Sequence, residues 1–281
     1  MTARDPAGAS SSPAASTAAP PAAWATPGAA DWFVSRGEAA PWSARIFCFP
    51  YAGGSPRAFL DWQAGLGEDA EILGICRPGR EHRADEPAPT ITELIDGAAA
   101  AITTVTEADG RPFYLFGHSF GALLAFEVCR RLSGSAVPRH LIASGCAAPS
   151  LLPSRRVQEI ARLAGQEFAE AIGFFGGLSA DVIADEEVRD LLLPGLIADF
   201  HLAVGYRYQP GAPLGVPATL VVGRDDPHVR AAQIEPWNEE FARPPDRHWV
   251  DGGHFYFEPR PTEVLDILRS LVQADQHVEL I

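Results

Sequence analysis

Short apolar runs alternate with segments of helical periodicity between residues 43 and 273. Largely apolar runs of strand length occupy residues 45–50, 70–76, 140–146 and 217–223, with a further run beginning at 112, and the last strand is predicted over 247–250. Such runs are typical of parallel strands whose two faces are both covered. Apolar residues recur at helical spacing over 56–66, 90–106 and 261–272, and a helix is also expected from 120. This alternation predicts an α/β domain with a mostly parallel central sheet and helices on both faces.

The helix predicted over residues 90–106 has a clear start signal. Thr90 and Glu93 stand three residues apart and form the capping-box pattern, in which each side chain binds the other residue's backbone N–H. We therefore expect this helix to begin directly after Thr90.

Residues 150–214 break the alternation, since they contain helical patterns and no strand pattern. An insertion of this size after a sheet strand is more typical of a lid than of a layer of the sheet. We interpret most of its aromatic residues as packing between this helical lid and the domain. The segment Phe174-Phe175-Gly176-Gly177 is both apolar and rich in glycine, and we interpret it as a mobile part of the lid.

The two ends of the chain have a different composition. Residues 6–30 contain no charged residue and are dominated by Ala, Pro and Ser, and prolines interrupt any compact apolar core of a signal peptide. We predict a disordered tail over 1–42, a single domain over 43–273 and a short C-terminal tail over 274–281.

Charge and cysteine content exclude several classes of protein. The formal net charge of −14 argues against a nucleic-acid partner, because neutralising phosphates requires a basic surface. No apolar run approaches the roughly 18 residues of a membrane-spanning helix. The 4 cysteines lie inside apolar runs without a C-x-x-C pair, so we expect buried, reduced thiols in a cytoplasmic protein and no metal site.

Residues 112–126 carry the strongest chemical signal. An apolar strand leads through Gly117-x-Ser119-x-Gly121 into an apolar helix, which is the pattern of a nucleophile elbow. The glycines allow the close backbone approach that this turn requires. Ser119 is thereby predicted to lie at a helix N-terminus, where free N–H groups stabilise negative charge.

A serine nucleophile requires a base and an acid that orients the base. Of the 8 histidines, His254 follows the last predicted strand and precedes the last helix, at the sheet edge where the elbow opens. His118, beside the nucleophile, is interpreted as structural. The acid is expected after the preceding strand, where Asp226 is preferred and Asp225 is the alternative.

The oxyanion of an acyl-transfer intermediate requires two backbone N–H donors. Phe120 follows the nucleophile and supplies one donor. The loop after the first predicted sheet strand supplies the other, with Ala52 preferred over Tyr51, while Pro50 has no N–H to donate.

Five segments together resemble the motifs of type II thioesterases, which act beside polyketide synthases and nonribosomal peptide synthetases. They are residues 49–55 (FPYAGGS), 77–81 (RPGRE), 117–122 (GHSFGA), 223–227 (GRDDP) and 252–255 (GGHF). The resemblance covers about residues 43–273 and implies an α/β-hydrolase fold with a helical lid. Its P-G-R-E segment separates this family from other α/β-hydrolases.

The resemblance implies hydrolysis of acyl groups from the phosphopantetheine thiol of acyl or peptidyl carrier proteins, which removes stalled or incorrect chains. It assigns Ser119 as nucleophile, His254 as base and Asp226 as acid, with Ala52 and Phe120 as oxyanion donors, and implies no cofactor or metal. We expect a monomer whose partner is the carrier protein, and the apolar Phe174–Gly177 segment is expected to contact the acyl chain. The candidate docking arginines are Arg77, Arg80, Arg83, Arg155 and Arg156, and Arg80 could alternatively pair with Glu81.

The same fold and triad leave other functions open, because different reactions share one acyl-enzyme. These are an acyltransferase, a cyclising release thioesterase and a small-molecule esterase. A non-catalytic carrier-binding protein is a further alternative, against which the intact triad argues.

Overall fold

A computed structural model describes residues 28–37, 41–132, 136–173, 181, 184–258 and 261–279. The strands are β1 (Phe33–Val34), β2 (Ala44–Phe49), β3 (Ala70–Ile75), β4 (Phe113–His118), β5 (His140–Ser144), β6 (Ala218–Gly223) and β7 (Asp246–Val250). The α-helices are α1 (Gln63–Leu66), α2 (Ile91–Asp109), α3 (Phe120–Arg131), α4 (Arg155–Ile160), α5 (Gly165–Gly173), α6 (Glu186–Gly205), α7 (Ala231–Ile234) and α8 (Thr262–Glu279). Short 3-10 helices cover Ala30–Trp32, Pro56–Trp62, Glu81–Arg83, Pro149–Leu151 and Glu235–Glu239.

The strands of the described residues form a 7-stranded sheet in the order β1-β3-β2-β4-β5-β6-β7. All neighbouring pairs are parallel except β1 with β3, which is antiparallel. The mostly parallel sheet predicted from the apolar runs is therefore confirmed. Parallel strands that pair in this way all end at one edge of the sheet, which brings their following loops together.

Both faces of the sheet are covered at β2 to β6, which explains why these strands are largely apolar at consecutive positions, whereas the edge strand β7 is partly exposed. In β2, Phe47 and Phe49 pack with α2 and α3, whereas Ile46 and Cys48 pack with α1 and α8 on the other face. Successive side chains of a strand point to opposite faces, so a strand with two buried faces contains no polar alternation.

Helix α2 begins where the capping box predicted. Glu93 N donates to the Thr90 hydroxyl at 3.2 Å, and Thr90 N donates to the Glu93 carboxylate at 2.8 Å. The helix ends at Asp109, three residues beyond the predicted end at 106, and Gly110 caps it in the left-handed conformation with φ 67°.

The prediction of a disordered tail over 1–42 is wrong for residues 28–37. Phe33 and Val34 pair with Ile75 and Gly74 as the antiparallel edge strand β1. The Trp32 ring lies 4.2 Å from the guanidinium carbon of Arg83, a cation–π contact that joins the segment to the 3-10 helix Glu81–Arg83. Residues 1–27 and 38–40 lie outside the described residues.

The C-terminal boundary also differs from the prediction. Helix α8 continues to Glu279, where the sequence predicted a helix ending at 272 and a tail from 274. Asp275 accepts a hydrogen bond from the Tyr114 hydroxyl of β4 at 2.6 Å, so this turn of the helix is attached to the sheet. The longer helix is thus stabilised by a contact that the local sequence does not reveal.

Between β5 and β6 the described residues form α4, α5 and α6. These helices share an apolar cluster in which the rings of Phe168 and Phe200 are 5.4 Å apart. Leu196 of α6 contacts Gly53, so α6 covers the loop that follows β2. The lid role of these helices stays a prediction, and Phe174–Gly177 lies outside the described residues.

Among the residues that the structure describes, none of the helices combines the length and apolarity needed to cross a bilayer.

Candidate active site

Each candidate catalytic residue follows a different parallel strand. Ala52 comes after β2, Ser119 after β4, Asp226 after β6 and His254 after β7. The carboxyl ends of these strands share one edge, so residues as far apart in sequence as Ala52 and His254 converge there.

The turn at Ser119 has the strained geometry of a nucleophile elbow. Ser119 has φ 55°, a left-handed value that is uncommon for a residue with a side chain. A Cβ on Gly117 would lie 2.2 Å from the Gly121 carbonyl oxygen, and one on Gly121 would lie 2.0 Å from the Phe49 carbonyl oxygen. Both flanking glycines are therefore required by close backbone approach, as the sequence predicted.

Ser119 stands directly before α3 and is half-buried. Its N–H donates to the Ser144 carbonyl at 2.8 Å, which joins the elbow to the end of β5. The helix N-terminus places positive partial charge where an oxyanion would form.

His254 is held by Asp226. The Nδ1 atom of His254 lies 2.8 Å from Asp226 Oδ2, and both residues are buried. A carboxylate only accepts hydrogen bonds, so Nδ1 carries the proton and Nε2 is left to accept one. Asp226 Oδ1 in turn accepts from the backbone N–H groups of His228 at 2.7 Å and Val229 at 3.3 Å.

Asp225, the alternative acid, is in a different position. It is exposed, and its backbone N–H donates to the Gly252 carbonyl at 2.9 Å. The structure thus brings Asp226 to His254, while Asp225 helps to join the two loops.

A cavity of about 290 Å³ contains the candidate nucleophile and base. Ser119, Phe120, Ala52, Tyr51 and His254 all line it. Its apolar wall comes largely from the segment between β5 and β6: Leu152, Val157, Ile172, Leu192, Leu196 and Phe200. None of the described residues that line it is Asp, Glu or Arg.

His118 lies beneath the site as a buried neutral ring. Its Nδ1 is 2.7 Å from the Ser144 hydroxyl, which is 2.5 Å from the Tyr256 hydroxyl. Burial lowers the pKa of His118 well below its ordinary value, and the neighbouring His254, whose ring centroid is 4.8 Å away, adds to this effect. An uncharged His118 avoids repulsion with a protonated His254. The sequence did not identify Ser144 or Tyr256 as parts of this network.

The cavity also contains a cysteine. Cys146 follows β5 and lines the cavity, but burial raises the pKa of its thiol to about 12. The thiol is therefore protonated at neutral pH, and only a thiolate would be an effective nucleophile. The described residues contain no group of three or more His, Cys, Asp and Glu side chains arranged to hold a metal.

Three of the five candidate docking arginines are engaged within the protein. Arg77 and Arg80 each lie 2.9 Å from Asp199 of α6, and Arg83 pairs with Glu86. The possible Arg80–Glu81 pair is replaced by Arg80–Asp199, while Glu81 pairs with Arg57 at 2.9 Å.

The other two predicted docking arginines, Arg155 and Arg156, are exposed on α4 beside the cavity-lining Ser154 and Val157. Arg155 forms an ion pair with Glu159 at 2.8 Å.

Asp199 is a residue of this region that the sequence analysis missed. Its side chain lies on the buried face of α6 between Leu196 and Phe200. An acidic residue within an apolar helical stripe was a usable signal, since a carboxylate is buried only where it has partners.

Residues 44–272 match the family described as thioesterase domain. Gramicidin S biosynthesis protein GrsT of Aneurinibacillus migulanus is 31% identical over 240 residues, which are 84% of this chain and 92% of that protein. Thioesterase PikA5 of Streptomyces venezuelae is 33% identical over 235 residues, 83% of this chain and 82% of that protein. The structure of the type II thioesterase BorB from the borrelidin biosynthetic cluster superposes with a TM-score of 0.75 at 30% identity, covering 86% of this chain and 97% of that one.

Proposed function

The chain belongs to the thioesterase family, as a type II thioesterase with the α/β-hydrolase fold, and from this membership we propose that it removes acyl groups from the phosphopantetheine arm of carrier proteins. Its reaction class is the hydrolysis of thioesters. The relatives named for gramicidin S and borrelidin biosynthesis support a role in the editing of an assembly line. The observation that carries the proposal is the buried His254–Asp226 pair, 2.8 Å apart, in the same cavity as the strained Ser119.

In the proposed mechanism, Ser119 Oγ attacks the thioester carbonyl carbon while His254 Nε2 takes the hydroxyl proton. Asp226 holds His254 in the required tautomer and stabilises the imidazolium that forms. The N–H groups of Phe120 and Ala52 bind the oxyanion of the tetrahedral intermediate. When the C–S bond breaks, His254 returns the proton to the departing sulfur, which leaves as the thiol of the pantetheine arm.

Water completes the cycle. His254 Nε2 takes a proton from a water molecule as its oxygen attacks the acyl-Ser119 carbonyl. The second tetrahedral intermediate uses the same oxyanion donors, and its collapse returns a proton to Ser119 Oγ and releases a carboxylic acid. No cofactor enters either step.

Carrier recognition gives the first test. We expect a carrier-bound acyl group to be hydrolysed with a kcat/KM at least about tenfold higher than the same acyl group on free N-acetylcysteamine, since contacts with the carrier add binding energy of about 1.4 kcal/mol or more. Both rates are measured by release of free thiol. Excess carrier without an acyl group should inhibit only the first reaction.

Equal kcat/KM for the two substrates would remove the carrier from the proposal and favour a small-molecule esterase. Three expectations stay predictions: that the partner is a carrier protein, that the protein is a monomer and that it is cytoplasmic.

The chemistry of the cavity predicts its acyl preference. Its volume of about 290 Å³ and the absence of Asp, Glu and Arg among the described residues of its lining favour a short, uncharged acyl group. The 3-methylbutanoyl and malonyl groups have similar shapes, but malonyl ends in a carboxylate. We expect kcat/KM for malonyl to be about 100-fold lower, because a desolvated carboxylate without a partner costs about 3 kcal/mol.

The comparison uses the same carrier for both acyl groups, with each rate divided by that of hydroxide-catalysed hydrolysis to remove intrinsic reactivity. Preference for malonyl would contradict an uncharged acyl site.

A further inference from the structure

One oxygen of Asp199 joins three parts of the structure. Asp199 is 3% exposed, and its Oδ2 accepts hydrogen bonds from the Gly53 N–H at 2.6 Å and from Arg77 at 2.9 Å. The same oxygen forms an ion pair with Arg80 at 2.9 Å. These donors belong to the loop after β2 and the turn after β3, while Asp199 itself belongs to α6. Hydrogen bonds to a charged acceptor are the strong ones, and a buried carboxylate depends on them.

Arg77 extends this network to both proposed oxyanion donors. Its Nη2 lies 3.4 Å from the Tyr51 carbonyl oxygen and 3.3 Å from that of Gly54, which flank Ala52 and Gly53. The guanidinium carbon is 5.9 Å from the Phe120 ring centre. Arg77 is 2% exposed, so it takes this position as an internal group and not as a surface charge.

Glu81 attaches the turn after β3 to the end of the loop after β2, at Ser55. Its carboxylate accepts from the Ser55 hydroxyl at 2.9 Å and from Arg57 at 2.9 Å. Glu81 has φ 47°, a strained value for a residue with a side chain, and such strain persists only where surrounding contacts determine the conformation. Residues 77–81 therefore hold the loop after β2 at both of its ends.

We infer that Asp199, together with Arg77 and Arg80, is a positioning group for the oxyanion loop of residues 51–54. The short bond from Gly53 N–H to a buried carboxylate fixes the peptide next to Ala52, whose N–H is the proposed donor. The same carboxylate belongs to α6, so the position of the lid helix and the geometry of the oxyanion site are coupled. This inference rests on the proposed function, since it assigns the loop the role of binding the oxyanion.

A positioning role for Asp199 differs in one measurable respect from a role that only holds α6 against the oxyanion loop. An oxyanion donor acts on the tetrahedral state and not on the unreacted carbonyl, so its displacement weakens transition-state binding selectively. A displacement of about 1 Å costs about 100-fold in rate. Loss of the contact between α6 and the loop alone would weaken the binding of both the unreacted substrate and the tetrahedral state.

Asp199→Asn tests this difference with two ligands. An acyl trifluoromethyl ketone adds Ser119 Oγ to its carbonyl and places an oxyanion in the site, whereas the matching unreactive amide binds without this step. We expect kcat/KM for thioester hydrolysis and affinity for the ketone both to fall by about 10- to 100-fold. Affinity for the amide should change less than about threefold. Asp199→Glu should recover part of the loss by restoring the charge.

Asp190→Asn is the matched control, because Asp190 lies on the same helix with a side chain that is 69% exposed. It should leave both affinities unchanged. Should Asp199→Asn fail to fold by circular dichroism, Arg80→Gln carries the test, since the Arg80 side chain is only partly buried at 21% exposure. Arg80→Gln should also weaken ketone binding more than amide binding.

Equal losses for ketone and amide, or no loss for either, would overturn the positioning role. A wild-type protein that does not hydrolyse the thioester would instead overturn the proposed function. The two failures are therefore distinguishable in the same experiment.

Discussion

Ser119→Ala is expected to lower kcat for thioester hydrolysis by about 10⁶-fold, the order of loss seen when a serine hydrolase is deprived of its nucleophile. Without Oγ there is no acyl-enzyme, and His254 has no hydroxyl proton to take. The fold should survive, because the Ser119 side chain makes no capping hydrogen bond to α3. Alanine also adopts the left-handed φ of 55° at a cost similar to that of serine.

Mass spectrometry of quenched reactions measures this prediction directly. The wild-type protein should gain the mass of one acyl group during turnover, whereas Ser119→Ala should gain none. Ser270→Ala is the matched control, since Ser270 is exposed on α8 and its hydroxyl bonds only to the Asp266 carbonyl among the described contacts. Turnover by Ser119→Ala at the wild-type rate would exclude Ser119 as nucleophile.

Local sequence signals were sufficient for the central sheet and for α2. Strands β2 to β6 were predicted because each is a largely apolar run, which follows from burial on both faces. The edge strand β7 has partly exposed positions, and its place was predicted from the alternation of strands and helices. The start of α2 was predicted because the Thr90–Glu93 capping box is complete within four residues.

Elements that depend on distant partners were missed. The two-residue strand β1 lies in a segment rich in Ala and Pro, and it is stabilised by pairing with Ile75 and Gly74. The last turns of α8 depend on the bond from Tyr114 to Asp275, 161 residues apart in sequence. Neither partner can be inferred from the local pattern.

In the candidate site, too, residues with local sequence signals were predicted and those that depend on distant partners were missed. The positions of Ser119, Asp226 and His254 followed from strand order, since loops after parallel strands meet at one edge. Asp199 was missed because its partner Arg77 is 122 residues away in sequence. For the same reason, the sequence left Arg77 and Arg80 as candidate docking residues, whereas the structure engages both with α6.

Asp226→Asn is expected to lower kcat by about 10⁴-fold while leaving the fold intact. Asp226 Oδ1 accepts two backbone N–H groups, from His228 and Val229, and Oδ2 faces His254 Nδ1. In the variant, the amide oxygen keeps the two backbone donors, so the NH₂ group faces His254. An NH₂ donor requires Nδ1 to accept, which moves the ring proton to Nε2 and leaves no base for Ser119.

Asp225→Asn makes the same chemical change one residue earlier, at an exposed side chain, and should alter kcat by less than about twofold. Steady-state kcat across a pH series, with the Tm of each variant, measures both predictions. A larger loss in Asp225→Asn than in Asp226→Asn would exchange their roles. Equal and small losses would mean that His254 keeps its tautomer without a carboxylate, which would contradict the orientation inferred from the two oxygens of Asp226.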